Sequence, residues 1–249
     1  MGERVTTMAL TFLVLDTETT GTDPAKDQVI ELGFATTDLY ETLYFCSYLV
    51  RATVPISAEA SAVHHLTDED LINAYDDLPL AISEMQSDGT GWFSSVAYAA
   101  HNAPFDRQFL PTLTDKPWLD TLRMARRYLP DAPGHSNQVL RYHLKLDVPR
   151  DIPVHRAEGD CITTAALLRY LLTGPARDDF ERLGVAEFAK HVDSPLVLTM
   201  CNFGKHAGKP WAEVPRDYLA WILRQPDFDP DVRFTAETYL RCPSRYPQI

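Results

Sequence analysis

Four cysteines occur in the 249 residues, and no two form a C-x-x-C pair. Cys46, Cys161, Cys201 and Cys242 are scattered, which reads as reduced thiols in a cytosolic protein, not a disulfide framework. No run approaches the roughly eighteen apolar residues that a transmembrane helix needs, so such a span is excluded. The stretch Met1 to Met8 lacks the charged n-region and long apolar h-region of a signal peptide. Thr6 after the Met-Gly start matches only a short fragment of a myristoylation pattern and is discounted. Internal repeats and low-complexity segments are also missing. A cytoplasmic protein with no membrane partner is the expectation.

Basic residues are the next scarcity. Lys and Arg number 23 against 35 Asp and Glu, a formal net charge of −12. That total argues superficially against a polyanionic partner, but the distribution of charge points the other way. Residues 59–88 carry eight acids and no Lys or Arg, whereas 121–156 carry seven basic residues against three acids. The last 54 residues are near neutral, with seven basic and six acidic groups. A polarised molecule with one basic region is compatible with nucleic acid, and part of the acidic excess can be metal ligands.

What is present is a sizeable apolar fraction, 45% of residues, in a chain long enough for roughly one and a half to two domains. Strands are expected at 12–19, 28–36, 43–50 and 92–100, with a short apolar piece at 118–121. Helices are expected at 58–63, after Thr67 as N-cap, at 78–85, opening at Asp106, and at 122–128, 137–144 and 161–172. The first three strands, joined by short loops, suggest an antiparallel meander. The alternation as a whole gives an α/β class with a mixed sheet. Thr173-Gly174-Pro175 is the first plausible boundary, followed by a short helix at 185–190. A second small unit follows, with a strand at 197–201 and helices at 215–223 and 231–240.

The stretch Phe12 to Gly21 organises the rest. Its apolar run reads as a buried central strand, and Asp16 and Glu18 at its end point to the same face. Two buried anions side by side repel, and a divalent cation between them is the simplest remedy. An isolated D-x-E is more often a merely solvated strand end. Taken singly, Asp106 could be an N-cap, Asp160 a first-turn acid favoured by the helix dipole, and His155 a surface histidine.

Together these residues form Asp16-Thr17-Glu18-Thr19-Thr20-Gly21, then His101-Asn102-Ala103-Pro104-Phe105-Asp106, then His155 five residues before Asp160. This order of D-x-E-T-T-G, H-N-x-x-F-D and H-x4-D resembles the DEDD exonucleases, in their histidine branch, over roughly residues 10–172. Arg156, not a Tyr, stands four before Asp160, which speaks against the tyrosine branch. The resemblance implies a ribonuclease-H-like sheet with Asp16, Glu18, Asp106 and Asp160 holding two Mg²⁺ or Mn²⁺ ions. It also implies stepwise hydrolysis from 3′ ends to 5′-monophosphates, with DNA as partner and RNA as the nearest rival. His155 has the right type of group for a general base. The implied domains are 1–174 for the exonuclease, 175–195 for a linker and 196–249 for a small α+β C-terminal domain.

Candidate substrate contacts are Thr17, Thr19, Thr20 and Gly21, then His65, Asn102 and Phe105, then Arg123, Arg126 and Arg127. Asn102 reads also as a brace with His101, Phe105 as core, and the arginines, on one helix face, as a solvated patch. The segments Phe203 to Trp211 and Val214 to Leu223 look like the tail of the exodeoxyribonuclease X group. There Lys205 and Lys209 sit in a glycine-flanked turn that could grip a backbone, while Trp211, Tyr218 and Trp221 could be core or stacking rings. A catalytically silent nucleic-acid-binding module is the alternative from another class. A small-molecule phosphodiesterase is a third.

Overall fold

A computed structural model describes residues 10–87 and 94–241. Trp92 and Phe93, expected to begin the fourth strand, and Cys242 lie outside the described residues. The chain divides into two units, 1–192 and 193–249.

The first unit is built on a five-stranded sheet of order β3-β2-β1-β4-β5. Its strands are β1 (Thr11–Thr19), β2 (Val29–Thr37), β3 (Thr42–Leu49), β4 (Ser95–Ala100) and β5 (Trp118–Asp120). The first three form the expected antiparallel meander; β4 runs parallel to β1, and β5 parallel to β4. The helices are α1 (Ala58–His64), α2 (Leu78–Ser87), α3 (Ala103–Phe109), α4 (Thr121–Tyr128), α5 (Asn137–His143), α6 (Ala157–Thr173) and α7 (Arg177–Asp193). Parallel neighbours need a crossover, and α1 and α2 supply one while α3 supplies the next. The sheet is therefore mixed and carries helices on both faces, the ribonuclease-H-like architecture that the motifs imply.

The period-two rule explains the two cores. Phe12 and Val14 point to one face, where Cys161, Ala165, Leu168 and Leu171 of α6 cover them. Leu13 and Leu15 point to the other, against Phe34, Tyr98, Met85 and Phe109. Both faces of β1 are thus buried, which its unbroken apolar run requires.

Several elements differ from expectation. Helix α6 begins at Ala157, four residues early, so Asp160 stands in its first turn. Helix α3 begins at Ala103, so Asp106 lies inside it and caps nothing. No helix follows Thr67; its N–H and Oγ1 both donate to Asp70, at 2.8 Å each, and a series of turns results. The supposed linker 175–195 is largely helix α7, kinked at Gly184, where φ is 71°. Phe180, Phe188, Ala189 and Val192 of that helix are buried in the α6-side core, so it belongs to the first unit.

The second unit contains α8 (Arg216–Leu223) and α9 (Pro230–Arg241) around Cys201, Trp211, Leu219, Ile222 and Val232. The strand expected at 197–201 reduces to a single bridge between Met200 and Pro210, so the α+β character expected of this unit is absent from its described residues. Leu196 N–H instead donates to the buried Asp231 carboxylate at 2.9 Å, and Leu198 N–H to Thr235 Oγ1 at 2.9 Å. Side chains of α9 take the backbone pairing a strand neighbour would have taken.

Candidate active site

The period of β1 aims Asp16 and Glu18 toward the α6 face, beyond Phe12 and Val14. Asp160, in the first turn of α6, meets them there. Carboxylate oxygens of Asp16, Glu18 and Asp160 all lie within 4.8 Å of one another. Asp106 approaches from α3, on the opposite face of the sheet. It is buried, and its Oδ1 accepts from Thr17 Oγ1 at 2.9 Å. Thr17 lies between the two acids in sequence and faces the other way, so its hydroxyl serves Asp106. This side chain is 5% exposed and committed to that bond.

Electrostatics reflect the crowding. Burial pushes the Asp16 carboxyl well above its ordinary range, and the charges of Asp106, Asp160 and Glu18 add to the rise. Burial, then the Asp160 charge, lift Glu18 to about 8. Burial carries Asp106 to about 7 against the opposing bonds from Thr17. Asp160 is raised by burial too, with His155 and Gln138 acting against the rise. Four carboxylates so placed resist ionisation until a cation joins them, and an all-oxygen donor set suits a hard divalent ion.

His155 is exposed, in the left-handed conformation at φ 56°, and its backbone donates to the Asp160 carboxylate. Gln138 of α5 lies 3.5 Å from the same carboxylate. Arg141, one turn on, donates to Pro149 O at 2.6 Å and so ties down the loop before His155.

The loop after β1 is held from within. Thr19 Oγ1 donates to Gly21 O at 2.5 Å, and Thr20 Oγ1 donates to Asp27 Oδ1 at 3.2 Å. A Cβ at Gly21 would lie 2.5 Å from the Asp27 carboxylate, so this glycine makes room for Asp27. Clearance for a sugar is not needed to explain it. Thr20 O accepts from Ser57 N–H at 3.2 Å, which brings the start of α1 to this end of β1. At the far end of α1, exposed His65 caps the helix with φ 61°, while His64 is buried and accepts from Leu66 N–H at 3.0 Å.

His101 is a brace: its ring bonds Thr121 Oγ1 at 3.0 Å and His135 O at 2.8 Å, and burial drives its pKa down to about 4. The Asn102 backbone donates to Asp120 at 3.1 Å, which leaves its exposed side chain facing outward at φ 74°. Phe105 is half-buried against Phe109, 5.3 Å between ring centres. Arg123 Nε donates to Val192 O at 3.1 Å, so part of its guanidinium caps the end of α7. Arg126 and Arg127 are half-buried on the same helix. Lys205 and Lys209 are exposed in a turn whose Gly204 and Gly208 take φ of 60° and 82°. Trp211 is 0% exposed and belongs to the core; Trp221 is partly open.

Two residues contribute in ways the motifs do not convey. Thr17 supports a ligand, and Glu31 lies inside β2, outside every motif. A charged residue within the apolar run Val29 to Phe34 is the available signal for Glu31.

The profile of the RNase T exonuclease family matches residues 13–168. Exodeoxyribonuclease 10 of Escherichia coli K12 is 31% identical over 242 residues, covering 91% of this chain and 97% of that protein. DNA polymerase III subunit epsilon of Treponema pallidum is 27% identical over 194 residues, covering 75% and 85%. Among solved structures, exonuclease X in complex with 5′ overhanging duplex DNA superposes with a TM-score of 0.59 at 29% identity. That match covers 74% of this chain and 99% of the other. Escherichia coli exonuclease I with a dA16 oligonucleotide gives 0.56 at 17% identity over 70% of this chain and 43% of that one, a likeness of fold alone.

Proposed function

Because the chain belongs to the RNase T exonuclease family, we propose that it removes nucleotides from the 3′ ends of DNA as 5′-monophosphates, using two Mg²⁺ or Mn²⁺ ions. The observation that carries this reading is the convergence of Asp16, Glu18 and Asp160 within 4.8 Å, with the charge of buried Asp106 acting on Asp16. Asp16, Glu18, Asp106 and Asp160 would hold the ions. When bound, such ions activate water and neutralise charge developing on a phosphodiester. The Thr17 hydroxyl favours the ionised form of Asp106. His155, exposed and five residues before Asp160, accepts the proton of the attacking water, a role worth about 10²–10⁴-fold in rate. His65, Asn102 and the Thr19–Gly21 backbone would border the terminal nucleotide. Lys205 and Lys209 of the second unit would contact phosphates of the nucleic acid.

DNA as substrate is supported by the similarity to exodeoxyribonuclease 10, which extends over the second unit as well. The test is a 5′-labelled single strand incubated with Mg²⁺ or Mn²⁺. A ladder shortening from the 3′ end is expected, abolished by Asp16→Asn and slower on matched RNA. Binding without degradation by either metal would leave a silent binding module, and faster loss of RNA would move the substrate to RNA.

A further inference from the structure

Glu31 is a carboxylate in the middle of a buried strand, 1% exposed. Across the β1–β2 ladder it is the register partner of Glu18. Its oxygens accept from Ser47 Oγ at 2.7 Å, Arg156 Nε at 2.8 Å, Arg156 Nη2 at 3.0 Å and Ala157 N–H at 3.3 Å. A guanidinium fork on one carboxylate fixes direction as well as distance. Arg156 and Ala157 are the two residues after His155, whose left-handed backbone is costly for any side chain bearing a Cβ.

Two close approaches bear on the same stretch. A Cβ at Gly33, two residues beyond Glu31, would lie 2.4 Å from the Ala157 carbonyl carbon. A Cβ at Gly159 would lie 1.9 Å from Pro153 O. Segment 153–157 is therefore pressed onto the first turn of α6, and that turn onto β2. The strain at His155 persists because these contacts over-determine its surroundings.

We infer that Glu31 is a positioning residue: through the fork of Arg156 it sets the backbone at His155, and so aims the imidazole at the carboxylate cluster. For its kinetic consequence this inference rests on the proposed exonuclease reading; its structural part does not. An ion pair that merely fastened α6 to β2 would change stability and leave the behaviour of His155 alone. A pair that aims His155 acts only through that ring.

The test uses the full chain with Glu31→Gln, Arg156→Lys, His155→Ala and the Glu31→Gln/His155→Ala double variant. Glu31→Gln keeps the volume and removes the charge; Arg156→Lys keeps the charge and removes the fork. Mn²⁺-supported hydrolysis of a labelled single strand gives kcat and KM. Amide exchange across 153–160 is followed in the metal-free protein. Expected is a loss of about tenfold or more in kcat for each single variant, with KM held within about threefold. In the His155→Ala background Glu31→Gln should cost nothing further. Exchange at Ala157 and Asp160 should quicken while β1 amides keep their protection. Additive losses, an unchanged kcat, or unchanged exchange at Ala157 and Asp160 would overturn the inference. Should Glu31→Gln not fold, Arg156→Lys carries the same comparisons. A wild type that degrades nothing would sink the exonuclease reading alone, and the exchange comparison then decides the positioning role by itself.

Discussion

Thr17 shows how much one hydroxyl can decide. Its side chain faces away from the cluster and holds Asp106 at 2.9 Å. Thr17→Val preserves shape and removes that donor, leaving a buried carboxylate short of a partner. A cost of about 1–3 kcal/mol in stability is expected, together with a drop in kcat from a mis-set ligand. Thermal unfolding and single-turnover rates check the two parts, and wild-type values in both would contradict the assignment. The acids themselves set a pH dependence. Burial raises Glu18 to about 8 and Asp106 to about 7. Their unfolded counterparts lose protons near pH ~4, so between roughly pH 4 and 8 the metal-free folded state holds more protons than the unfolded. Its stability therefore falls as pH rises through that window. A divalent ion binds the ionised acids, so the Tm gained on adding Mn²⁺ should be larger at pH 8.5 than at pH 6. Equal gains at both would show that the cluster does not titrate as its burial requires.

At the scale of elements, helix α7 carries the sharpest expectation. Phe188 is buried beside Phe180, 5.3 Å between ring centres, and beside Tyr128 at 6.3 Å. Phe188→Ala should cost about 3–5 kcal/mol by urea unfolding. A true linker residue would cost nothing measurable. This is also where the sequence is least legible. The central strand β1, its meander neighbour β2 and the helix bearing Asp160 can be read from periodicity because each has one strongly apolar run. Helix α7 hides its periodicity behind charged residues and the Gly184 kink, and Gly174-Pro175 ahead of it mimics a boundary. The strand expected at 197–201 fails for the converse reason. Its β-branched residues fit a strand, but Asp231 and Thr235 take the backbone groups at its start and just before it. Among site residues, the four acids and His155 are legible because their spacing survives in one dimension. Arg123 is not, since the carbonyl it caps lies 69 residues away.

The whole molecule is acidic, at −12, yet the proposed partner is a polyanion. Much of that charge is concentrated in acids that a metal would neutralise and in the 59–88 stretch. The second unit is near neutral and offers Lys205 and Lys209 on one exposed turn. If both contact phosphate, single-strand binding should weaken with salt less steeply in Lys205→Ala/Lys209→Ala than in wild type. The slope of log K against log salt should shrink by about 1.4, since each single-strand contact contributes about 0.7. An unchanged slope would remove the turn from the DNA path.

The hydrogen bonds of β1 along both of its edges have a consequence for what changes the chain can tolerate. Core and site share one phase: Phe12, Val14, Asp16 and Glu18 on one parity, Leu13, Leu15 and Thr17 on the other. A substitution in this strand alters one side chain. A one-residue deletion among 12–15 transposes every later one, sending Thr17 to the ligand side and the acids toward the apolar packing of α3. No slippage can then restore the core without misplacing the chemistry, or the reverse. Point changes can therefore accumulate in β1, while its length is fixed by two demands that cannot be met separately.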